Sequence, residues 1–232
     1  GGDRDAADAD GDGYAGTAYG GPDCDDEDAS VHPDASDTAR DGTDQDCDGA
    51  DLTTAGLAAG ELVISEVMYD PDAVDDADGE WFEVYNATAY VVNLAGLVVS
   101  DDAGFAELDR FEVDVDLVVA AGGRAVFGVE GDPAINGGVT LDYDFPGSGV
   151  NFNNGADDLY VGVASGASFL TIDAVAWDEA AGWPAAKGFS IELNDGRLSA
   201  SSNDAASAWC LATSTAGSTS DKGSPGEASS GC

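Results

Sequence analysis

Positive charge is almost missing from this chain. Seven Lys and Arg stand against 47 Asp and Glu in 232 residues, a formal net charge of −40. Such a surface repels a phosphate backbone, which argues against nucleic acid as a partner and favours divalent cations. It also resembles the surface of proteins that work in high salt, where counter-ions screen self-repulsion. Histidine is limited to His32 and lysine to Lys187 and Lys222. The Ser-His-Asp and Cys-His forms of nucleophilic catalysis need a histidine, and His32 lies in a small acidic segment away from the main apolar runs. Phosphoryl transfer lacks basic groups and a glycine-rich loop entering a helix. Paired carboxylates for glycoside hydrolysis are too abundant for any pair to stand out. The chain therefore reads as a non-enzyme. No apolar run approaches the length of about 18 residues that a membrane span needs. No segment shows a sustained helical period. The chain opens on Gly1 rather than Met, which reads as a mature, processed product.

Cysteine is scarce but even in number: Cys24, Cys47, Cys210 and Cys232. No C-x-x-C spacing is present, so two disulfides in a secreted protein is the economical reading. Of the three possible pairings, Cys24–Cys47 and Cys210–Cys232 are favoured, because each pair lies within one compositional segment.

What the chain does have falls into two kinds of chemistry. Residues 1–52 are dominated by Asp and Gly, with Tyr14, Tyr19, Val31 and Leu52 as their large apolar residues. That set builds no core, and such segments fold around a metal or a disulfide. The small, neutral stretch 53–60 reads as a flexible linker. From Glu61 to residue 228, short apolar runs alternate with Gly, Asp and Asn, and residues 229–232 form a tail ending in Cys232. "RFEVDVDLVV" (110–119) places Phe111, Val113, Val115 and Leu117 on one face; "DDLYVGV" and "GFSIELND" alternate in the same way. Period two with turn punctuation predicts an all-β, antiparallel sandwich.

The acidic segment has its own pattern. Asp8, Asp10, Asp12 and Gly13 match positions 1, 3, 5 and 6 of a calcium loop, and the Tyr14 carbonyl would supply a further oxygen. The loop is no EF-hand, since Tyr19 stands where the last glutamate would be. Its missing ligands are sought in Asp23, Asp25, Asp26 and Asp28, and in "DGTDQDCDG", which supplies Asp41 and a second loop of Asp44, Asp46, Asp48 and Gly49. Two or more Ca²⁺ ions are expected, relieving carboxylate repulsion. "DADGDGY…DCDDEDASVHPDA…DGTDQDCDG" resembles the MopE-type metal-binding repeat of secreted bacterial proteins and, in its logic, thrombospondin type 3 calcium repeats. Where such repeats have Pro-Gly-Ala, this chain has Pro33-Asp34-Ala35.

"ELVISEVMYDP…GEWFEVYNATAYVVNLAGLVVSD" resembles the start of a lamin-tail domain. The later runs "GVNFNNGADDLYVG", "IDAVAWD" and "GFSIELNDG" fit it too. The resemblance implies an immunoglobulin-like sandwich, a module of extracellular proteins, with a binding or scaffolding role and no catalytic residues. Trp81, Glu83 and Tyr85, with Glu66, read as sandwich structure rather than a site. Asp76-x-Asp78-Gly79 is a partial calcium loop, and Asn86-Ala87-Thr88 a glycosylation sequon.

The expectation is a non-catalytic, secreted, calcium-binding structural protein that self-associates in a cell-surface or fibre-like assembly. The alternative is a monomeric adhesion module recognising a glycan or protein through loops and aromatics such as Tyr90, Tyr143, Tyr160 and Trp183. A third reading makes the acidic repeat a cation buffer and the sandwich its anchor.

Overall fold

A computed structural model of the chain describes residues 7–38, 41–145, 147 and 149–232. The first six residues and residues 39–40 of the expected acidic segment lie outside them. The described strands are β1 (Leu52–Thr53), β2 (Leu62–Met68), β3 (Trp81–Asn86), β4 (Val92–Asn93), β5 (Leu97–Ser100), β6 (Arg110–Glu112) and β7 (Val118–Val119). They continue with β8 (Arg124–Gly128), β9 (Tyr143–Asp144), β10 (Ala156–Ser165), β11 (Ser168–Asp178), β12 (Ile191–Leu193) and β13 (Trp209–Leu211). One α-helical turn, Asp76–Gly79, is the only α-helix among the described residues.

The strands form a six-stranded sheet in the order β13-β12-β2-β3-β8-β9, a four-stranded sheet β11-β10-β5-β6 and a three-stranded sheet β1-β4-β7. Pairing is antiparallel throughout, except for β1 with β4 and β8 with β9, which are short and parallel. The layers close on one core that includes Ile64, Val67, Phe82, Phe127, Leu97, Val99, Leu159, Val161, Val175, Trp177 and Ile191. This is the sandwich that the alternation predicts.

A bulge in β2 decides which residues face that core. Ile64 pairs with Val84 and Glu66 with Glu83, with the register shifting between Ile64 and Glu66. Strict alternation would put Ile64 and Glu66 on one face. The extra residue, Ser65, lets Ile64 and Val67 enter the core while Glu66 faces outward.

Two expectations need correction. The run 110–119 is not one strand: β6 pairs with β5 in one sheet and β7 with β4 in another. Between them Val115 is 52 % exposed, and Asp114 and Asp116 are held by Tyr143 Oη (3.1 Å) and Asn93 Nδ2 (2.9 Å). Those anchors carry the chain from sheet to sheet. Nor is 53–60 a free linker. Thr53 belongs to β1, Thr54 Oγ1 donates to the Ala95 carbonyl (2.7 Å), and Leu57 is buried in the core.

After β13 the chain turns back over the outer face of the six-stranded sheet. The Cys210–Cys232 disulfide closes this strap, with Cα atoms 5.8 Å apart. Gly223 passes so close that a Cβ there would lie 2.7 Å from Trp81 Cζ2 and 3.1 Å from Glu66 Oε1. Trp81, Met68 and Val126 form a small second cluster under it.

Candidate metal centres

The first DxDxDG loop folds back on itself through its own carboxylates. Asp8 Oδ1 accepts from Gly11 N–H (2.9 Å), Asp10 Oδ1 from Asp12 N–H (3.2 Å) and Asp12 Oδ1 from Tyr14 N–H (2.7 Å). Gly11 and Gly13 take φ of +84° and +106°, backbone that side chains resist. One carboxylate oxygen of each of Asp8, Asp10 and Asp12 then lies within 4.8 Å of the others. Asp23 joins them. It is fully buried, and its charge acts on Asp10. Asp26 closes the loop from outside, its Oδ1 accepting from Ala9 N–H (2.8 Å).

The second loop behaves alike. Asp44, Asp46 and Asp48 converge with Asp37 inside the same 4.8 Å limit. Asp44 accepts from Gly49 N–H (2.9 Å) and Asp46 from Asp48 N–H (3.1 Å). Asp37 Oδ1 accepts from Gln45 and Asp46 N–H (2.8 and 3.2 Å). No spacing rule singles out Asp37: it stands alone in "ASDT", seven residues before the loop. The Cys24–Cys47 disulfide, with Cα atoms 5.7 Å apart, ties the two clusters together.

Both clusters hold oxygens that lack partners. Asp10 Oδ2, Asp12 Oδ2, Asp23 Oδ2 and Asp37 Oδ2 are shut off from solvent with no hydrogen bond, as is Asp51 Oδ1 beside the second loop. A buried carboxylate oxygen without a donor is costly. Burial first, and neighbouring aspartates after it, raise the Asp10, Asp37 and Asp46 carboxyls above their ordinary range. A cation in each cluster would supply the missing partner, so the residues fit a metal.

The remaining expected ligands are elsewhere. Asp25, Asp28 and Asp41 turn their carboxylates to local N–H and OH groups of Glu27, Ser30, Thr43 and Gln45. The Tyr14 ring stacks on His32 at 5.1 Å, and its hydroxyl donates to Asp34 Oδ2 (2.8 Å). Asp34 has φ of +76°, so the glycine slot of related repeats persists here with a carboxylate that ties down Tyr14. Asp76 and Asp78 converge with no other carboxylates in such a cluster among the described residues; Asp76 meets Asn154 Nδ2 (3.2 Å). The sequon is closed, because Asn86 is fully buried and its Nδ2 donates to carbonyls around Tyr90 and Val119.

The second cluster is joined to the sandwich by one side chain. Asn93 of β4 is 3 % exposed, and its Nδ2 donates to Asp48 Oδ2 (2.6 Å) and Asp116 Oδ1 (2.9 Å). Its Oδ1 accepts from Ala95 N–H (3.0 Å) and Leu117 N–H (3.1 Å). Four residues after Asp48 the chain enters β1, whose Leu52 and Thr53 pair with Val92 and Asn93.

Residues 56–179 match the family model of the Lamin Tail Domain, more than half of the chain. Residues 23–51 match the model of a metal-binding motif named for copper binding in MopE. The first loop, Asp8–Gly13, precedes that match. No curated protein and no solved structure matches the chain.

Proposed function

The chain belongs to the lamin tail domain family, and from that premise we propose that it is a secreted, calcium-stabilised structural protein that assembles with copies of itself at a cell surface or in a fibre. The lamin tail domain is an immunoglobulin-like, non-enzymatic fold type, and the role we assign is non-catalytic. The observation that carries the reading is the pair of carboxylate clusters with buried, unpartnered oxygens, one of them bonded to the sandwich through Asn93.

The donors argue for calcium over copper. Every converging ligand is a carboxylate oxygen, the set that suits hard cations; copper favours imidazole and thiolate. All four cysteines are in disulfides. His32 lies flat on Tyr14, with Nδ1 2.8 Å from the Pro33 carbonyl. Two ions are proposed, one per cluster. Two disulfides support an oxidising, extracellular location. No helix among the described residues is long and apolar enough to cross a membrane.

Self-association is favoured over a glycan-binding module by where the aromatics lie. Tyr90, Tyr143 and Trp183 are half-buried against the core, and Tyr160 Oη is bonded to Asp158 (2.8 Å). None offers an open stacking platform. Sedimentation of the purified chain in calcium and in excess EDTA tests the proposal. Large species that dissolve in EDTA are expected; a compact monomer in both overturns assembly. Calorimetric titration with Ca²⁺ and Cu²⁺ separates the metals, and saturable copper binding without calcium binding would overturn the ion assignment.

A further inference from the structure

Three glutamates outside both metal clusters line up across the outer face of the six-stranded sheet. Glu192 of β12 is the cross-strand partner of Glu66 of β2, which is the partner of Glu83 of β3. They are 1, 2 and 1 % exposed. Like charges directly opposite one another destabilise a sheet, so this row needs a reason.

The strap provides most of it. Glu192 Oε2 accepts from Ser229 Oγ (3.1 Å), Ser230 N–H (2.9 Å) and Gly231 N–H (2.7 Å). Its Oε1 accepts from Ser230 Oγ (2.8 Å) and Ser224 Oγ (2.6 Å). Five donors mark it as the carboxylate ion. Glu83 has Arg124 Nε at 3.0 Å, Ser65 Oγ at 2.7 Å and Gly226 N–H at 2.8 Å. Among the described residues, Glu66 has no cation. Its Oε1 accepts from Ser190 Oγ (2.5 Å) and Ser224 N–H (2.9 Å), and its Oε2 meets only Ser224 Oγ (3.1 Å).

Counting protons settles the direction of that last contact. A hydroxyl carries one proton. Ser224 Oγ gives it to Glu192, the nearer acceptor, so the proton between Ser224 Oγ and Glu66 Oε2 belongs to Glu66. We propose that Glu66 is kept as the carboxylic acid and donates through Ser224 to the Glu192 carboxylate, making the C-terminal strap a proton-held latch that loosens as pH rises.

Among the described residues, no basic group stands ready to replace that proton. Arg124 is engaged by Glu83 and by Asp195 (2.9 Å). Lys222 Nζ turns to Thr215 Oγ1 (3.3 Å), Asp221 accepts from Asp72 and Ala73 N–H, and Glu227 is exposed. Burial, with the Glu83 charge next, pushes the Glu66 carboxyl from 4.5 up to about 8. In the released strap the group returns to its ordinary range. Latch stability is therefore complete at acid pH, falls between the two values, and levels off above about 8. Opening uncovers Trp81, on which Gly223 is pressed, at the edge of the small cluster it forms with Met68 and Val126.

Amide hydrogen exchange of the full, disulfide-intact chain in calcium, corrected for intrinsic rate, tests this. Protection at Gly226, Ser230 and Gly231 should be at least about tenfold lower at pH 8.5 than at pH 5.5, within the limit of about tenfold per pH unit set by one proton. Amides of the β10–β11 ladder should change far less. Glu66→Gln keeps a donor toward Ser224 and should hold the strap's protection level across that range. If that variant does not fold, Ser224→Ala breaks the relay and should shrink the pH step. Strap protection independent of pH in the native chain, or an unchanged step in the folded variants, overturns the latch.

Discussion

Asp23 and Asp25 sit two residues apart in one acidic run, yet their carboxylates have opposite surroundings. Asp23 is sealed beside the first loop with an unpartnered oxygen, while Asp25 is exposed and accepts from Glu27 N–H at 3.3 Å. Asp28 likewise serves a turn, and hydrogen bonds from Ser30 hold its carboxyl below the usual range. Asp23→Asn should weaken calcium binding at the first cluster by at least about tenfold, since ligand charge sets affinity. Asp25→Asn and Asp28→Asn should leave it unchanged in the same calorimetric titration. Equal effects from all three would mean general electrostatic attraction instead of a built site. The spacing of the acidic loops makes Asp8, Asp10, Asp12, Asp44, Asp46 and Asp48 legible in the sequence. Asp37 is not legible, because its position depends on a turn that brings it across to Gln45. Asp25, Asp28 and Asp41 look identical to ligands until their local N–H partners are seen.

At the scale of the element, alternation identifies strands but not where they change partners. The run 110–119 reads as one strand because side-chain period is local, whereas its division between two sheets is fixed by Tyr143 and Asn93 from distant segments. The β2 bulge is hidden in the same way, since "ELVISEVMY" fits either register. Strands also carry buried acids. Asp173 of β11 accepts from Ile64 N–H (2.7 Å) and Asn203 Nδ2 (2.6 Å), and burial pushes it from 3.8 up to about 7. Glu80, ahead of β3, is pushed from 4.5 up to about 8, again chiefly by burial. The native state holds these protons more tightly than the unfolded chain. Their contribution is fully present below the unfolded values and is lost as pH rises through the folded ones. In EDTA, Tm by calorimetry should therefore fall from pH 5 to pH 8. Excess calcium should flatten that fall, because its ligands must be ionised. A Tm in EDTA that rises over this range contradicts the assignment.

For the whole molecule, the repeat and the sandwich are one connected structure, joined by β1 and by Asn93. Asn93→Asp would set a third carboxylate against Asp48 and Asp116, costing on the order of 2–4 kcal/mol as buried partners are lost. Calcium should raise the unfolding midpoint of the native chain in urea and raise it less in this variant. An equal calcium increment in both would show that the second cluster is not felt by the sandwich. The presence of two chemically distinct segments is plain from composition. Their docking is not, because an asparagine in "VVNLAG" carries no signal of a partner 45 residues earlier.

The two disulfides have a mechanical consequence. Each closes a loop of 23 or 22 residues near one end of the described chain. Under tension, each crosslink takes the load in place of the loop it spans. A fully extended chain spans about 3.4 Å per residue, so each bond withholds roughly 75–80 Å of contour. A molecule pulled at both ends would yield in its sandwich strands and its first acidic loop, while the second half of the acidic repeat and the strap, each inside a crosslink, kept their length.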